Sequence, residues 1–422
     1  MKIIKYTYKF RLEPTDEQKT LLNKHFGSVR WTFNYFLNQR KDEYLNNKKS
    51  LNYYDQAAEL TQIKKTNEWL KEINSQTLQY SLKCLDMAYQ GFFNKRTQFP
   101  RFKSRKNKNS FTVPQNVRCD GTKLIVPKFL DGIEMIMERK IKGVIKHCTI
   151  SRTPTGKYFV SILTEMEYQP LQKTNQSVGI DLGIKEFLVL SDGTKIKNHR
   201  FVKHYERILK LNQQSLSRKI KGSNRYEKQR IKVAKIHEKI TNSRTDLIQK
   251  TTTNLIKSFD IIYLEDLNIK GMSQRCKPKQ DENGKYLPNG QSAKSGLNKS
   301  ILDVAWGTFI DVLEYKANWN DKQVVHIDRF FPSSKTCNKC GWINNGLTLK
   351  DRTWICPKCG EKHDRDFNAA INILNEGYRL DISDGTSEYE RGAKIRPKKL
   401  GTSNETLKEK EYYVPETTTP SV

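Results

Sequence analysis

The sequence predicts a multidomain α+β protein: a small β-barrel carrying a helical insertion, then an α/β sheet domain with a metal-binding ribbon inserted near its end. Three observations predict it. Strand-like alternation at Ile4–Leu12 resumes only near Phe111, after a long helical stretch. Two apolar strands, one holding Asp181 and the other ending at Glu265, bracket a long polar helical region. Two CxxC pairs, Cys337/Cys340 and Cys356/Cys359, then precede a final alanine-rich helix.

Composition narrows the function classes. A chain of 422 residues suggests about three domains. A hydrophobic fraction of 36%, with 18 Phe, 19 Tyr and 6 Trp, is enough to build real cores. Lys and Arg (76) outnumber Asp and Glu (46), for a net charge of +30. That excess argues against a neutral small-molecule enzyme and points to a polyphosphate partner, nucleic acid first. The competing reading is a basic membrane-surface protein, but no apolar run reaches about 18 residues and MKIIKYTYKF lacks a signal peptide's apolar core. A cytosolic protein is expected, and the scattered Cys84, Cys119, Cys148 and Cys276 suit free thiols in a reducing compartment.

The first strand, Ile4–Leu12, alternates Tyr6, Tyr8 and Phe10 with Lys5, Thr7 and Lys9. Pro14, Thr15 and Asp16 then open a helical region to about Lys95, with apolar residues at helical spacing from Leu21 to Leu37. Trp31, Tyr35, Trp69, Tyr80, Tyr89, Phe92 and Phe93 are expected in its core rather than as base-stacking platforms. Lys95, Arg96, Arg101, Lys103, Arg105, Lys106 and Lys108 follow with no acid among them. A solvated charge run is the ordinary reading, but the interleaved Phe99, Pro100 and Phe102 favour a loop held against a phosphate backbone. From Phe111 to Glu167 strand-like segments return, separated by the turn pairs Asp120-Gly121 and Thr155-Gly156, and close the barrel with the first strand.

In SVGIDLGIKEFLVLSDG, Asp181 alternates with Val178, Ile180 and Leu182, so it lies on the opposite face of its strand with a glycine two residues to either side. FLVLSDG is the returning strand and Asp192-Gly193 turns toward a third, the start of an RNase H-like sheet. Residues 195–250 read as a polar helical region with 17 Lys and Arg against 4 Asp and Glu, with Val233, Ile236 and Ile240 as its packed stripe. In DIIYLEDL, Glu265 ends a buried parallel-type strand, where ligands of open α/β sheets gather; an exposed strand-end acid is the alternative. Gln274–Lys299 reads as a flexible loop, Ser300 to about Trp319 as an amphipathic helix, KQVVHID as another buried strand, and residues from about 378 as a disordered tail.

Each CxxC is followed directly by glycine, Gly341 and Gly360, where a knuckle turns back on its sulfurs. Four thiolates at this spacing close tetrahedrally on one structural zinc; buried or disulfide-bonded cysteines are the alternative. Asp366, in DRDFNAAINIL, reads by itself as a helix-capping or first-turn acid. With Asp181 and Glu265, however, it completes a set of hard carboxylate oxygens suited to two divalent cations about 3.5 to 4 Å apart. Arg365 and Asn368 either support that acid or lie on the helix surface.

GIDLG (179–183), YLEDL (263–267), SSKTCNKCG (333–341), CPKCG (356–360) and DRDFNAAINIL (364–374), with YKFRLEPTDEQ and FPRFKSRK earlier, resemble the TnpB family of transposon-encoded nucleases, relatives of the miniature type V CRISPR effectors. The resemblance covers nearly the whole chain. It implies a wedge β-barrel (1–12 and 110–172), a helical recognition domain (13–109), a RuvC-type nuclease domain (173–332 and 361–377), an inserted zinc ribbon that handles target nucleic acid (333–360) and a tail (378–422). It further implies a guide RNA, double-stranded target DNA beside a short adjacent motif, Mg²⁺-dependent cleavage by Asp181, Glu265 and Asp366, and action at the nucleoid of a prokaryotic cytoplasm; the oligomeric state is left open, with one chain per RNA slightly favoured. A CRISPR effector, an RNA-guided repressor without cleavage and a DNA-only transposition factor are the competing classes.

Overall fold

The computed structural model describes residues 1–105, 109–348 and 350–383 of the chain. They form two compact units, Met1–Tyr168 and a second beginning at Gln169. Among the described residues no helix is long and apolar enough to cross a membrane.

In the first unit, β1 (Lys2–Leu12) leads to helices α1 (Asp16–Asn47), α2 (Tyr53–Thr66), α3 (Glu68–Lys71) and α4 (Ser75–Phe93). Strands β2 (Asn109–Val113), β3 (Arg118–Asp120), β4 (Lys123–Val126), β5 (Phe129–Ile136), β6 (Val144–Arg152) and β7 (Tyr158–Tyr168) follow. The strands make one antiparallel sheet in the order β2-β6-β7-β1-β5-β4-β3. β1 therefore lies between strands from the far side of the helices, and α1 to α4 are spliced between two strands of one sheet. β2 and β3 stand at its ends, and among the described residues no ladder joins them.

The start of α1 is a capping box, in which Thr15 Oγ1 accepts from Gln18 N–H and Gln18 Oε1 accepts from Thr15 N–H. Its stripe of Leu22, Phe26, Val29, Phe33 and Leu37 packs with Leu78, Leu82 and Leu85 of α4 and with Phe10, Phe111 and Ile150 of the sheet. Of the aromatic residues expected in this core, only Tyr89 is fully buried. Trp31 and Tyr80 are half-buried, while Tyr35, Trp69, Phe92 and Phe93 are exposed. These rings gather with one another instead, Trp31 lying 4.9 Å from Tyr35 and 5.1 Å from Trp69 between centroids.

The second unit runs through β8 (Ser177–Leu182), β9 (Glu186–Leu190), β10 (Lys195–Lys197), α5 (Phe201–Ser217), α6 (Asn224–Ser258), β11 (Ile261–Glu265) and α7 (Ile269–Met272). Then come β12 (Lys279–Gln280), β13 (Tyr286–Leu287), α8 (Gln291–Val304), α9 (Trp306–Trp319), β14 (Gln323–Ile327), β15 (Thr353–Ile355), β16 (Lys362–Asp364) and α10 (Arg365–Ser383). Its main sheet has the order β10-β9-β8-β11-β14. The first three strands form an antiparallel meander, and β11 and β14 run parallel to β8. On one face Val178, Ile180, Ile262 and Leu264 meet Ile248 and Leu255 of α6 and Phe309 and Leu313 of α9. On the other, Ile261, Tyr263 and Ile327 meet Ile373 and Leu374 of α10.

Two glycines set how closely α10 approaches. A Cβ at Gly179 would lie 2.3 Å from the Ala370 carbonyl oxygen, and one at Gly377 would lie 2.1 Å from the Tyr263 ring.

The structure revises four expectations here. The polar helices begin at Phe201 rather than 195, because the Asp192-Gly193 turn sends Lys195–Lys197 back along β9. The 274–299 segment holds the β12/β13 hairpin and the first part of α8. Its polar residues are spent on internal bonds, Cys276 N–H to Gln291 Oε1 (2.8 Å) and Asn298 Nδ2 to the Ser273 carbonyl (2.9 Å). The helix expected over Ser300–Trp319 is two helices, broken where Ala305 is left-handed (φ 58°). The tail expected from 378 does not start there, since α10 continues to Ser383 with Leu380 packed beneath the sheet and Tyr263 Oη donating to Asp381. Residues 384–422 lie outside the described residues.

Gly377→Ala is expected to destabilise the protein by about 1–3 kcal/mol, read as a lower denaturant midpoint. Gly296→Ala, in α8 with no atom within 4 Å of the new Cβ, should be neutral or stabilising by up to about 1 kcal/mol.

Candidate active site and metal centre

Asp181 sits near the end of β8 on the face that α10 covers. Ile180 pairs with Leu264 across the parallel β8–β11 ladder, so the next residues along, Asp181 and Glu265, are neighbours. Asp366 lies in the first turn of α10, which packs on β8. Burial, then the negative charges of Glu265 and Asp366, push the Asp181 carboxyl up to about 8, against a smaller opposing pull from Arg365. Burial raises Glu265 as well, opposed by a hydrogen bond that its Oε1 accepts from Ser333 Oγ.

Asp366 is ion-paired with Arg365 (2.9 Å) and Arg352 (3.3 Å). The capping role considered for it falls to Asp364, whose Oδ1 accepts from Phe367 N–H (3.0 Å) and whose other oxygen meets Lys195 Nζ (2.7 Å). Burial alone would raise Asp364, but these partners hold it below the usual carboxylate range.

The structure thus sets Asp181 beside Glu265 by register and brings Asp366 near enough for its charge to act on Asp181. Carboxylate oxygens are hard donors of the kind Mg²⁺ takes.

The four cysteines converge more tightly, with all four sulfurs within 4.8 Å of one another, the one such His/Cys/Asp/Glu group among the described residues. Cys337–Cys359 and Cys340–Cys356 are both 3.6 Å apart. That is far beyond the about 2.05 Å of a disulfide and close to the ~3.7 Å edge of a tetrahedron with 2.3 Å zinc–sulfur bonds. Each knuckle closes through a glycine N–H, Gly341 to the Cys337 carbonyl (2.9 Å) and Gly360 to the Cys356 carbonyl (2.8 Å), at φ of 75° and 71°. The β15/β16 hairpin extends through Asp364, so the ribbon's fold continues past 360 to the start of α10.

Asn368 and Asn372 join ribbon and acids. Asn368 Nδ2 donates to the Thr336 carbonyl (2.7 Å) and its Oδ1 accepts from Asn338 N–H (3.0 Å); Asn372 Nδ2 donates to the Ser333 and Thr336 carbonyls (2.7 and 2.6 Å). Both are buried. Asn368 is therefore an internal strut rather than a helix-surface residue. Sequence reasoning missed Ser333, Asn372, Lys195 and Arg352. Only Asn372 left a readable trace, a second Asn four residues after Asn368 on an apolar helix.

The basic run divides. Lys95, Arg96, Arg101 and Arg105 are exposed. Lys103 is half-buried, its Nζ 3.9 Å from the Phe33 ring centroid and its backbone bonded both ways to the Asn34 side chain at 2.8 Å, so it anchors the loop. Phe99 packs edge-on against Tyr89 and Phe92. Lys106 and Lys108 lie outside the described residues.

Comparison with known proteins covers most of the chain. Residues 161–275 match a probable transposase family (OrfB_IS605), residues 306–373 a Cas12f1-like TNB domain, and residues 1–49 a helix-turn-helix domain. Over that last range the structure has β1 and the single helix α1. A Streptomyces pristinaespiralis protein named "Putative RNA-guided DNA endonuclease" is 36% identical over 384 residues, 89% of this chain and 90% of its own. An Escherichia coli K12 protein of the same description, InsQ, is 35% identical, covering 88% and 92%. "TnpB-like protein L79" of Acanthamoeba polyphaga mimivirus is 25% identical over 53% of this chain and 42% of its own. Among solved structures, Cas12f1 in a complex with sgRNA and target DNA shares the fold, with a TM-score of 0.51 at 13% identity over 89% of this chain and 99% of that one.

Cys356→Ser is expected to cost the bound metal, read as the zinc-to-protein ratio by atomic absorption; an unchanged ratio would exclude Cys356 as a ligand. A pH test follows from Asp181. Its folded value lies above its unfolded one, so the folded chain holds the extra proton between about pH 4 and 8 and metal-free stability falls as pH rises through that window. Asp181→Asn should flatten this decline in melting temperature, and Mg²⁺ should oppose it.

Proposed function

Since the chain belongs to the TnpB family, we propose that it is a transposon-encoded, RNA-guided DNA endonuclease. The observation that carries this reading is Asp181 beside Glu265 at the ends of two parallel strands, with Asp366 of the first turn of α10 near enough for its charge to act on Asp181. A meander followed by two parallel strands, in the order β10-β9-β8-β11-β14, supports assigning the second unit to the RNase H-like, RuvC-type class. The first unit, with helices spliced into an antiparallel sheet, serves in this reading as wedge and recognition domains.

Asp181, Glu265 and Asp366 would hold Mg²⁺, which would supply activation of the attacking water and charge neutralisation at the leaving 3′ oxygen of a phosphodiester. The chain's own groups arrange that site. Ser333 orients Glu265 by donating to Oε1, and Arg352 and Arg365 hold Asp366 in place. Asp364, braced by Lys195, starts α10 at the right point. The four cysteines would hold a zinc with no position left for substrate, a structural metal that would fix the 333–338 segment carrying Ser333.

A chain of net charge +30 grips nucleic acid backbone, while base pairing by a guide RNA reads the target sequence. Lys95, Arg96, Arg101 and Arg105 are the exposed cations of the basic run assigned to that grip. A CRISPR type V miniature effector shares this chemistry, and the fold shared with Cas12f1 favours it as the second reading.

The deciding experiment sequences the RNA that co-purifies from the native locus and tests that complex for Mg²⁺-dependent cutting of matched DNA. A structured scaffold running past a transposon end supports the first reading, a CRISPR repeat the second, and no defined RNA overturns both. Asp181→Ala should lower cutting at least 10³-fold while RNA and DNA binding stay within twofold; wild-type cutting in that variant removes Asp181 from the site. Replacing Arg101 and Arg105 together by Ala should reduce the slope of log affinity against log salt by about 1 to 2, measured by filter binding.

A further inference from the structure

We propose that Phe330 stacks on an unpaired base of the DNA strand lying in the acidic site, an inference that rests on the endonuclease reading above. Phe330 is 84% exposed, the most exposed aromatic side chain among the described residues. The apolar need of its turn is met by its neighbour, since Phe331 packs on the cluster of Tyr263, Ile327 and Ile373. The turn is nevertheless rigidly tied. Phe330 N–H donates to Asp328 Oδ1 (2.7 Å), Phe331 N–H to the Asp328 carbonyl (3.2 Å) and Ser333 N–H to the Phe331 carbonyl (2.8 Å).

Both flanks of this turn touch the acidic end of β11. Before Phe330, the Arg329 guanidinium is ion-paired with Asp266, the residue after Glu265. After it, Ser333 Oγ donates to Glu265 itself. Ile327 sits opposite Glu265 on the neighbouring parallel strand, so at most ~11 Å of chain separates Phe330 from that register. A rigid turn therefore holds a flat apolar ring in water at the rim of the candidate active site, where no core contact accounts for it.

The ligand chemistry follows from the ring and its neighbours. A nucleobase offers a π-face whatever its sequence, and a cation next to the ring suits a neighbouring phosphate. Arg329, the residue before Phe330, is that cation, held at the acidic strand end by its pair with Asp266. Bases inside a duplex have both faces covered, so the ring needs an unpaired nucleotide, as in a DNA strand opened by guide pairing. Phe330 is then a positioning residue, holding the strand whose phosphate the acids address.

The test uses the full chain with its co-purified RNA and a matched target carrying one 2-aminopurine near the cut. Wild-type complex should quench that base and cut; Phe330→Ala should lose the quench and cut about tenfold more slowly with guide-directed binding unchanged, and Phe330→Tyr should restore both. Wild-type cutting and quenching in Phe330→Ala overturn the proposal while leaving the endonuclease reading intact. An altered oligomeric state in Phe330→Ala, with quench and cutting kept, also overturns it and makes the ring a protein contact. Wild-type complex that neither binds nor cuts DNA defeats the underlying reading instead.

Discussion

The close approach of α10 to β8 and β11 is the constraint on which the second unit depends. Gly179 and Gly377 remove the Cβ atoms that would otherwise collide with the Ala370 carbonyl and the Tyr263 ring. With the helix seated, three things are fixed together: the first-turn Asp366 beside Asp181, the Asn368 and Asn372 amides under the first knuckle, and the chain reversal that delivers Ser333 to Glu265. A helix displaced by one side-chain layer would separate the acids and detach the ribbon.

Electrostatics at this point balances two opposed needs. Carboxylates that are to share cations must lie close together, yet closeness and burial penalise their charge: both raise Asp181, and burial raises Glu265. Arg365 offsets part of that repulsion at Asp181 while pairing with Asp366 rather than with Asp181; Arg352 also pairs with Asp366, and Lys195 with Asp364 at the end of β16.

What was legible in the sequence was what short-range patterning encodes. Alternation along β8 gave the face of Asp181, the apolar run of β11 gave the strand end at Glu265, and the CxxC spacing gave the sulfur cluster with its two positive-φ glycines. Features decided by distant partners were not legible. Nothing local marks Ser333 as the donor to Glu265, nor Ala305 as left-handed, nor Asp364 rather than Asp366 as the cap. The surface rings Tyr35, Trp69 and Phe93 were misassigned to the core for the same reason, since hydrophobicity says that a ring will seek contact but not whether its partner lies beneath it or beside it.

The ladder between β1 and β7 carries a consequence for synthesis. Lys2 pairs with Tyr168 and Leu12 with Tyr158, so β1 is made well before the strand that covers its whole length. At the usual pace of translation it waits roughly ten to thirty seconds as an unpaired edge. Lys5 and Lys9, exposed on the face opposite Ile4, Tyr8 and Phe10, are charges of the kind that keep such an edge from pairing with another nascent chain. Their place in the strand guards the ribosome-bound protein before it serves the folded one.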